Sequence, residues 1–294
     1  MNDLSRDALG TRRRRLSCEP IPPAVPLVAV TLVLVGLAVS LFILVVVHNA
    51  LFLAFLLLLS LLLLSFFLWN VYCSGADRAA FYFLDSVPLS DLQTAVDGQI
   101  VKISGLASCG DLSLESSYEK VDRCVYTSTL LYEYSGFATN ANNRCFSWNL
   151  TYVERFTADF YITDTKSGIR ALVKAGYASK INPLVEENIL VNTSSGSREL
   201  SSTLKKWLDE RHLSDGVRLL RLKEGYIKEG SHVTVMGMLS KKSGVLMIVP
   251  APEPITTGCL FRKLLLPIDI DGLILSVPSI TSSTLTSAFP NPYY

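Results

Sequence analysis

No Lys, Arg, Asp or Glu occurs between Leu27 and Tyr72. A run that long and that free of charge does not suit a helix of an ordinary soluble domain and belongs in a bilayer. Drawn as one helix, Leu27 to Trp69 would be about 65 Å long at the helical rise, against a hydrocarbon core of ~30 Å. The run is interrupted by His48-Asn49, its one strongly polar pair. The sequence therefore predicts an α-helical transmembrane hairpin, with spans over residues 27–47 and 50–70 and a tight turn at that pair. Trp69 and Tyr72 are expected in the headgroup belt. His48 reads as a turn residue and not a proton relay, because no second ionisable group lies within the spans to receive a proton.

Residues 1–24 form a short basic segment with Arg6 and the run Arg12-Arg13-Arg14-Arg15, set against Asp3, Asp7 and Glu19. A signal peptide also opens on positive charge. Here the apolar core is longer than a signal sequence needs, no A-x-A-like site follows it, and a second apolar stretch comes at once. The expectation is an uncleaved anchor. The Arg run lies close enough to the first span to orient it, and the turn at His48-Asn49 carries no Lys or Arg. Two crossings would then put both termini in the cytosol. Pro20, Pro22, Pro23 and Pro26 make a stiff, non-helical lead-in.

Beyond the spans the chain changes character. Five of the 27 Lys and Arg and three of the 26 Asp and Glu precede Ala50, leaving 22 and 23 in the rest. The remainder is near neutral, so it has no basic footprint for nucleic acid. Residues 76–275 are long enough to bury a core. Residues 276–294 are rich in Ser, Thr and Pro and are expected to be disordered. The six cysteines, Cys18, Cys73, Cys109, Cys124, Cys145 and Cys259, form no C-x-x-C pair and have no neighbouring His, which argues against a zinc site. In the cytosol they would be free thiols. Cys73, beside the membrane, could be palmitoylated or simply pack at the interface.

Periodicity divides the body. Ala76 to Leu84 reads as a short helix, and Ser90 as the N-cap of another over Asp91–Val96. Cys124 to Tyr134, rich in β-branched and aromatic residues, is the strongest strand. Tyr152 to Thr163 and Ile169 to Lys174 form a hairpin around Thr163–Gly168. Asn140 to Arg144 reads as a polar loop. Ser201 or Ser202 caps a helix to about His212, with Leu204, Trp207 and Leu208 facing inward. Lys223 to Gly230 reads as a mixed-charge loop. Strands resume at His232–Leu239 and Val245–Val249, and a last strand pair is expected around Asp271-Gly272. The predicted fold is a mostly antiparallel β, partly open, OB-like barrel with a few short helices, following the two-span hairpin.

The sequence contains no G-x-S-x-G, H-E-x-x-H, Walker A or dinucleotide fingerprint. His212 sits at a helix end and His232 at a strand start. Nothing in their spacing pairs either with Cys109 or Cys124. Asp159 and Asp164 flank a hairpin, where a turn role is expected. Asn149-Leu150-Thr151 and Asn192-Thr193-Ser194 match the glycosylation acceptor pattern and bear on topology alone. No catalytic, cofactor-binding or metal-ligating residue is assigned, and no cofactor.

Several words are more specific. Val87–Gly105, Arg123–Thr129, Leu131–Tyr134, Asp159–Lys174, Arg221–Gly237 and Val245–Pro250, including R-L-K-E-G-Y-I-K-E-G and V-L-M-I-V-P, closely resemble a plant family of uncharacterised two-helix membrane proteins. The resemblance runs from the spans to about Leu275. It implies an endomembrane placement, with the Golgi as the compartment, and no activity. Family members carry a long Ser/Gly/Pro-rich arm before the spans, where this chain has 24 residues. A weaker resemblance is to the beside-a-membrane domain of organelle outer-membrane RING ubiquitin ligases. After Pro250 only Cys259 remains to serve as a ligand, so the RING and its activity do not carry over.

The function expected is a membrane-anchored, non-enzymatic interaction or scaffold module. Its expected partners are membrane lipids and a protein, with no nucleic acid. Two alternatives stand beside it: a cryptic Cys or Ser hydrolase, and a hairpin that shapes membranes.

Overall fold

The computed structural model describes residues 1–5, 24–48, 50–74, 78–140, 143–193, 200–213, 219–242, 244–258 and 267–277. The Arg12–Arg15 run, Cys18, Cys259 and nearly all of the Ser/Thr-rich tail lie outside them. The chain divides into two units. One contains residues 1–9, 88–253 and 271–294, and the other residues 10–87 and 254–270.

The second unit is built on helices α1 (Ala24–Val47), α2 (Leu51–Ser74) and α3 (Arg78–Ser86), with a two-stranded ribbon that is named below. His48, between α1 and α2, takes a left-handed backbone conformation with φ of 53°. Gly36 of α1 faces Leu56 of α2, and a Cβ there would lie 3.0 Å from the Leu56 Cδ1 atom. Ser40, one turn on, is fully buried. Small residues on one helix face let two helices approach closely.

The lengths correct the expected pair of spans. Among the described residues one helical segment is long and apolar enough to cross a membrane, Leu51–Trp69, with 19 residues and a mean hydropathy of 3.0. In α1 the segment that passes the same measure of hydropathy is the shorter Leu34–Val46. Among the described residues the expected two-span hairpin gives way to one crossing-length helix. The expectation of two cytosolic termini rested on an even number of crossings and loses that support.

The first unit is almost entirely β. Its strands are β1 (Asn2–Asp3), β2 (Ile100–Cys109), β3 (Cys124–Asn140), β4 (Asn143–Thr157), β5 (Phe160–Asp164), β6 (Arg170–Val173), β7 (Ile181–Leu184) and β8 (Asn188–Asn192). Helix α4 (Ser202–Glu210) follows, then β9 (Leu219–Lys228), β10 (His232–Lys242) and β11 (Val245–Val249). Strands β12 (Ile255–Thr256) and β13 (Asp269–Ile270) make the ribbon of the helical unit, and β14 (Leu273–Ser276) returns to the β unit.

Five of these strands close on themselves. Strand β2 pairs with β5, β5 with β6, β6 with β11 in parallel, β11 with β10, and β10 back to β2. Alternate residues point inward: Val101, Ile103 and Ala107 from β2, Phe160 and Ile162 from β5, Val233 and Val235 from β10, and Ile248 from β11. Gly105 permits the tight crossing of β2 over β5, since a Cβ there would stand 2.0 Å from the Thr163 carbonyl oxygen. Strand β14 extends the sheet beyond β10, and β7 pairs in parallel with β14.

A second sheet has the order β1-β4-β3-β9-β8. Helix α4 covers one of its faces. Ser201 caps the helix, its hydroxyl accepting from the Leu204 N–H, and Leu204, Trp207 and Leu208 pack on Leu131, Leu220 and Leu222. Each such aliphatic side chain stabilises by roughly 1.5–3 kcal/mol when fully buried. The expected single, partly open barrel is thus a closed five-stranded barrel together with a separate five-stranded sheet.

Three local expectations also change. Asp91–Val96 is turn and not helix: the Asp91 carboxylate accepts from the Gln93 N–H, and the Gln99 side chain takes the Val96 N–H. The loop expected over Lys223–Gly230 is instead mostly strand β9. The polar loop at Asn140–Arg144 is narrower, because β3 runs through Asn140 and β4 starts at Asn143.

Candidate functional site

The residues that sequence reasoning kept open for chemistry do not converge. Cys109 ends β2, and its N–H donates to the Glu229 carboxylate. Burial raises its thiol pKa, and the Glu229 charge raises it further. Cys124 is fully buried at the start of β3, where burial pushes its thiol up to about 11. A nucleophilic cysteine needs a lowered pKa and a base beside it, and both thiols move the other way. His232 is exposed and pairs with Leu106 in the ladder. His212 is exposed just after α4, with φ of 54°, where a helix-ending residue turns left-handed.

Asp159 joins Lys174 at 2.9 Å and accepts from the Gly176 N–H. Asp164 closes the β5–β6 turn. Burial alone would raise its pKa, but the Ser167 hydroxyl and the Lys166 and Ser167 N–H groups outweigh this and lower it. Both aspartates organise turns. Asn149 lies within β4, and Asn192 ends β8, where its side chain accepts from Arg221.

A polar cleft of about 170 Å³ opens between the segment after β2 and the α4-covered face of the second sheet. Behind its lining residue Thr129 lies Glu224 of β9, which is 1% exposed. The Glu224 carboxylate accepts from the Tyr118 N–H, the Glu119 N–H and the Thr129 hydroxyl, each at 2.9 Å. Three donors satisfy a buried carboxylate and hold the covering segment down.

The wall of the cleft is a second closed network. Ser117 donates its hydroxyl proton to Glu154 at 2.6 Å. Its oxygen accepts from the Trp207 indole N–H at 3.1 Å and from Arg211 at 2.7 Å. Arg211 also donates to Glu154 and stacks 4.3 Å over the Trp207 ring. A serine that a carboxylate orients resembles a nucleophile with its base. Here both lone pairs of Ser117 are engaged by donors, one of them a cation, which leaves none to attack a substrate. Among the described residues no three His, Cys, Asp or Glu side chains come together to hold a metal.

The opposite face of the sheet is different. Tyr134 and Trp148 pair across β3 and β4 with ring centroids 5.2 Å apart. The Arg221 guanidinium lies 4.1 Å over the Trp148 ring, and the Lys223 ammonium 5.6 Å from the Tyr132 ring centre. All five side chains are half-exposed. Reading Lys223 as part of a loop concealed this surface. Strand alternation from Leu219 onward, which puts Arg221 and Lys223 on one face and Leu220, Leu222 and Glu224 on the other, was the signal that could have found it.

Comparison with known proteins gives one informative likeness. The chain is 41% identical over 263 residues to an Arabidopsis thaliana protein called "Uncharacterized membrane protein At1g16860". The match covers 88% of this chain and 55% of that protein, so the chain spans about half the length of the relative. This similarity to a plant membrane protein agrees with the apolar helix Leu51–Trp69. No family model matches the chain, and no solved structure matches it.

Proposed function

We propose that this protein is a membrane-anchored interaction module of the endomembrane system that works by binding and performs no covalent chemistry. The observation that carries the reading is the closed hydrogen-bond network in and behind the wall of the polar cleft. Ser117, Glu154, Trp207, Arg211 and Glu224 spend their donors and acceptors on one another and on the backbone. The raised pKa values of Cys109 and Cys124 support it. The similarity to a plant membrane protein supports the membrane anchor, and the endomembrane compartment, with the Golgi as the specific expectation, is what the sequence resemblance implies.

The same proposal puts the β unit in the cytosol. Within about 20 residues of Leu51–Trp69, Arg78 is the sole Lys or Arg, and it lies on the side leading to the β unit. Positive charge near a span marks its cytosolic side.

Reactivity profiling of the full-length protein in membranes tests the absence of chemistry. A fluorophosphonate and iodoacetamide should label Ser117, Cys109 and Cys124 no faster in the native protein than in the unfolded chain. Stoichiometric native labelling at neutral pH, faster than in the unfolded chain, would sink the reading and revive the hydrolase alternative. Endoglycosidase treatment tests the sidedness. A mobility shift that disappears in the double substitution Asn149→Gln, Asn192→Gln would place the β unit in the lumen.

A further inference from the structure

We propose that the face of the second sheet turned away from α4 binds the surface of an anionic bilayer. The inference deepens the anchored-module reading and rests on its placement of the β unit in the cytosol. The ladder assembles this face from four strands. Tyr132 pairs with Arg221, Tyr134 with Trp148, and Lys223 with Ile189 at the edge strand. Ile189 is 51% exposed. The α4-covered face carries aliphatic side chains and a buried carboxylate, whereas this face carries aromatic rings and cations.

The contacts of the two cations matter most. Arg221 rests on Trp148 and donates to the Asn192 amide, and Lys223 faces the Tyr132 ring. Among the described residues neither forms an ion pair, whereas Arg155, at the far end of the same face, is neutralised by Glu187 at 2.9 Å. Rings hold the cations in place without cancelling their charge. Half-exposed Trp and Tyr beside uncompensated Arg and Lys is the composition that partitions into the headgroup layer. The partner favoured by this charge is an anionic lipid surface, such as the cytosolic leaflet presents. A crossing-length helix in the same chain keeps a bilayer at high local concentration, so a weak site suffices. A single-stranded nucleic acid could also stack on such rings, but the near-neutral composition from Ala50 onward gives it no electrostatic footprint.

The test uses the full-length protein in zwitterionic nanodiscs, mixed with vesicles of phosphatidylcholine alone or with about one-third phosphatidylserine, in a flotation assay. The protein should float with the anionic vesicles at low salt and should not float with the neutral ones. Arg221→Gln with Lys223→Gln should weaken capture about ten-fold or more, as expected for two interfacial cations. Arg221→Lys with Lys223→Arg keeps the charge and should retain capture, and unchanged thermal unfolding of each variant excludes misfolding as the cause.

Equal capture of wild type and the Gln variant, or equal capture by both kinds of vesicle, would overturn the proposal. So would binding of a dT oligonucleotide that the Gln variant loses, in the absence of vesicle capture. Failure of flotation with unreactive native Ser117 and cysteines and an unglycosylated β unit removes the lipid site and leaves the anchored module. A glycosylated β unit removes the placement on which both depend.

Discussion

Asn2 lies opposite Thr157, so the first residues of this sequence form an edge strand on β4. The Leu4 N–H donates to the Arg155 carbonyl, the Ser5 hydroxyl accepts from the Arg155 N–H, and the Asn2 side chain donates to the Ser179 carbonyl. Leu4 is 5% exposed and belongs to the barrel core. Residues 2–5 are therefore part of the β unit. In the folded protein, Asn2→Cys should react with a maleimide more slowly than Tyr177→Cys, the latter at a position 90% exposed, each read above the wild-type background. Equal rates would contradict the pairing. Leu4→Ala should cost about 2 kcal/mol, at the low end for a buried Leu because a short terminal strand can detach. Denaturant unfolding measures it.

The cleft gives a second expectation. Glu224→Leu would remove the acceptor for two backbone N–H groups and one hydroxyl. Each donor left buried and unpaired costs about 1–3 kcal/mol, so a loss of several kcal/mol is expected. Glu224→Gln keeps one acceptor oxygen and should cost less. Hydrogen exchange should show the difference first at the Tyr118 and Glu119 amides. Unchanged protection there in Glu224→Leu would show that the carboxylate does not hold the covering segment.

Local order was readable in the sequence where a few adjacent residues decide it. The Ser201 cap and the Leu204, Trp207, Leu208 spacing locate α4, and Asp164 with Gly168 marks the β5–β6 turn. Closure of the barrel was not readable, because it depends on the parallel pairing of Met247 with Leu172 and Ile248 with Val173, far apart in the chain. The Asn2-Asp3 strand was hidden for the same reason, since two polar residues carry no strand signal. Asp91–Val96 failed as a helix because side chains supplied the hydrogen bonds that a short helix would have made. The Lys223 surface was missed because alternating charges were read as solvated loop. In a two-sided sheet the same pattern puts Glu224 inside and Lys223 outside.

High pH supplies a third expectation. Cys124 is pushed up to about 11 and Tyr126 up to about 12, both chiefly by burial. Each is raised above its unfolded value of 9.0 or 10.0, so the unfolded chain loses the proton first. Stability from these groups is complete below pH 9.0 and is lost as pH rises through 11 and 12. Thermal unfolding between pH 8 and pH 11, on the order of one unit per step, should show a falling midpoint. Cys124→Val, which has no thiol to ionise, should flatten the first part of that fall. A midpoint that is constant to pH 11 in the wild type would contradict the burial of both groups.

Gly105 gives the last expectation. A Cβ there would stand 2.0 Å from the Thr163 carbonyl oxygen and 3.1 Å from the Asp164 Cα. Both neighbours are backbone of the paired strand β5, so no side chain can swing aside. Gly105→Ala must push β2 away from β5, on a barrel that also holds β2 against β10 through Val233. Overpacking of this kind costs about 1–3 kcal/mol or more. Gly98 has φ of 81° and nothing within 4 Å of its Cβ position, so Gly98→Ala carries backbone strain alone and should cost about 1 kcal/mol. Urea unfolding of the two variants separates the terms. A Gly105→Ala protein as stable as Gly98→Ala would show that the barrel tolerates separation of β2 from β5, and that its closure is looser than this crossing requires.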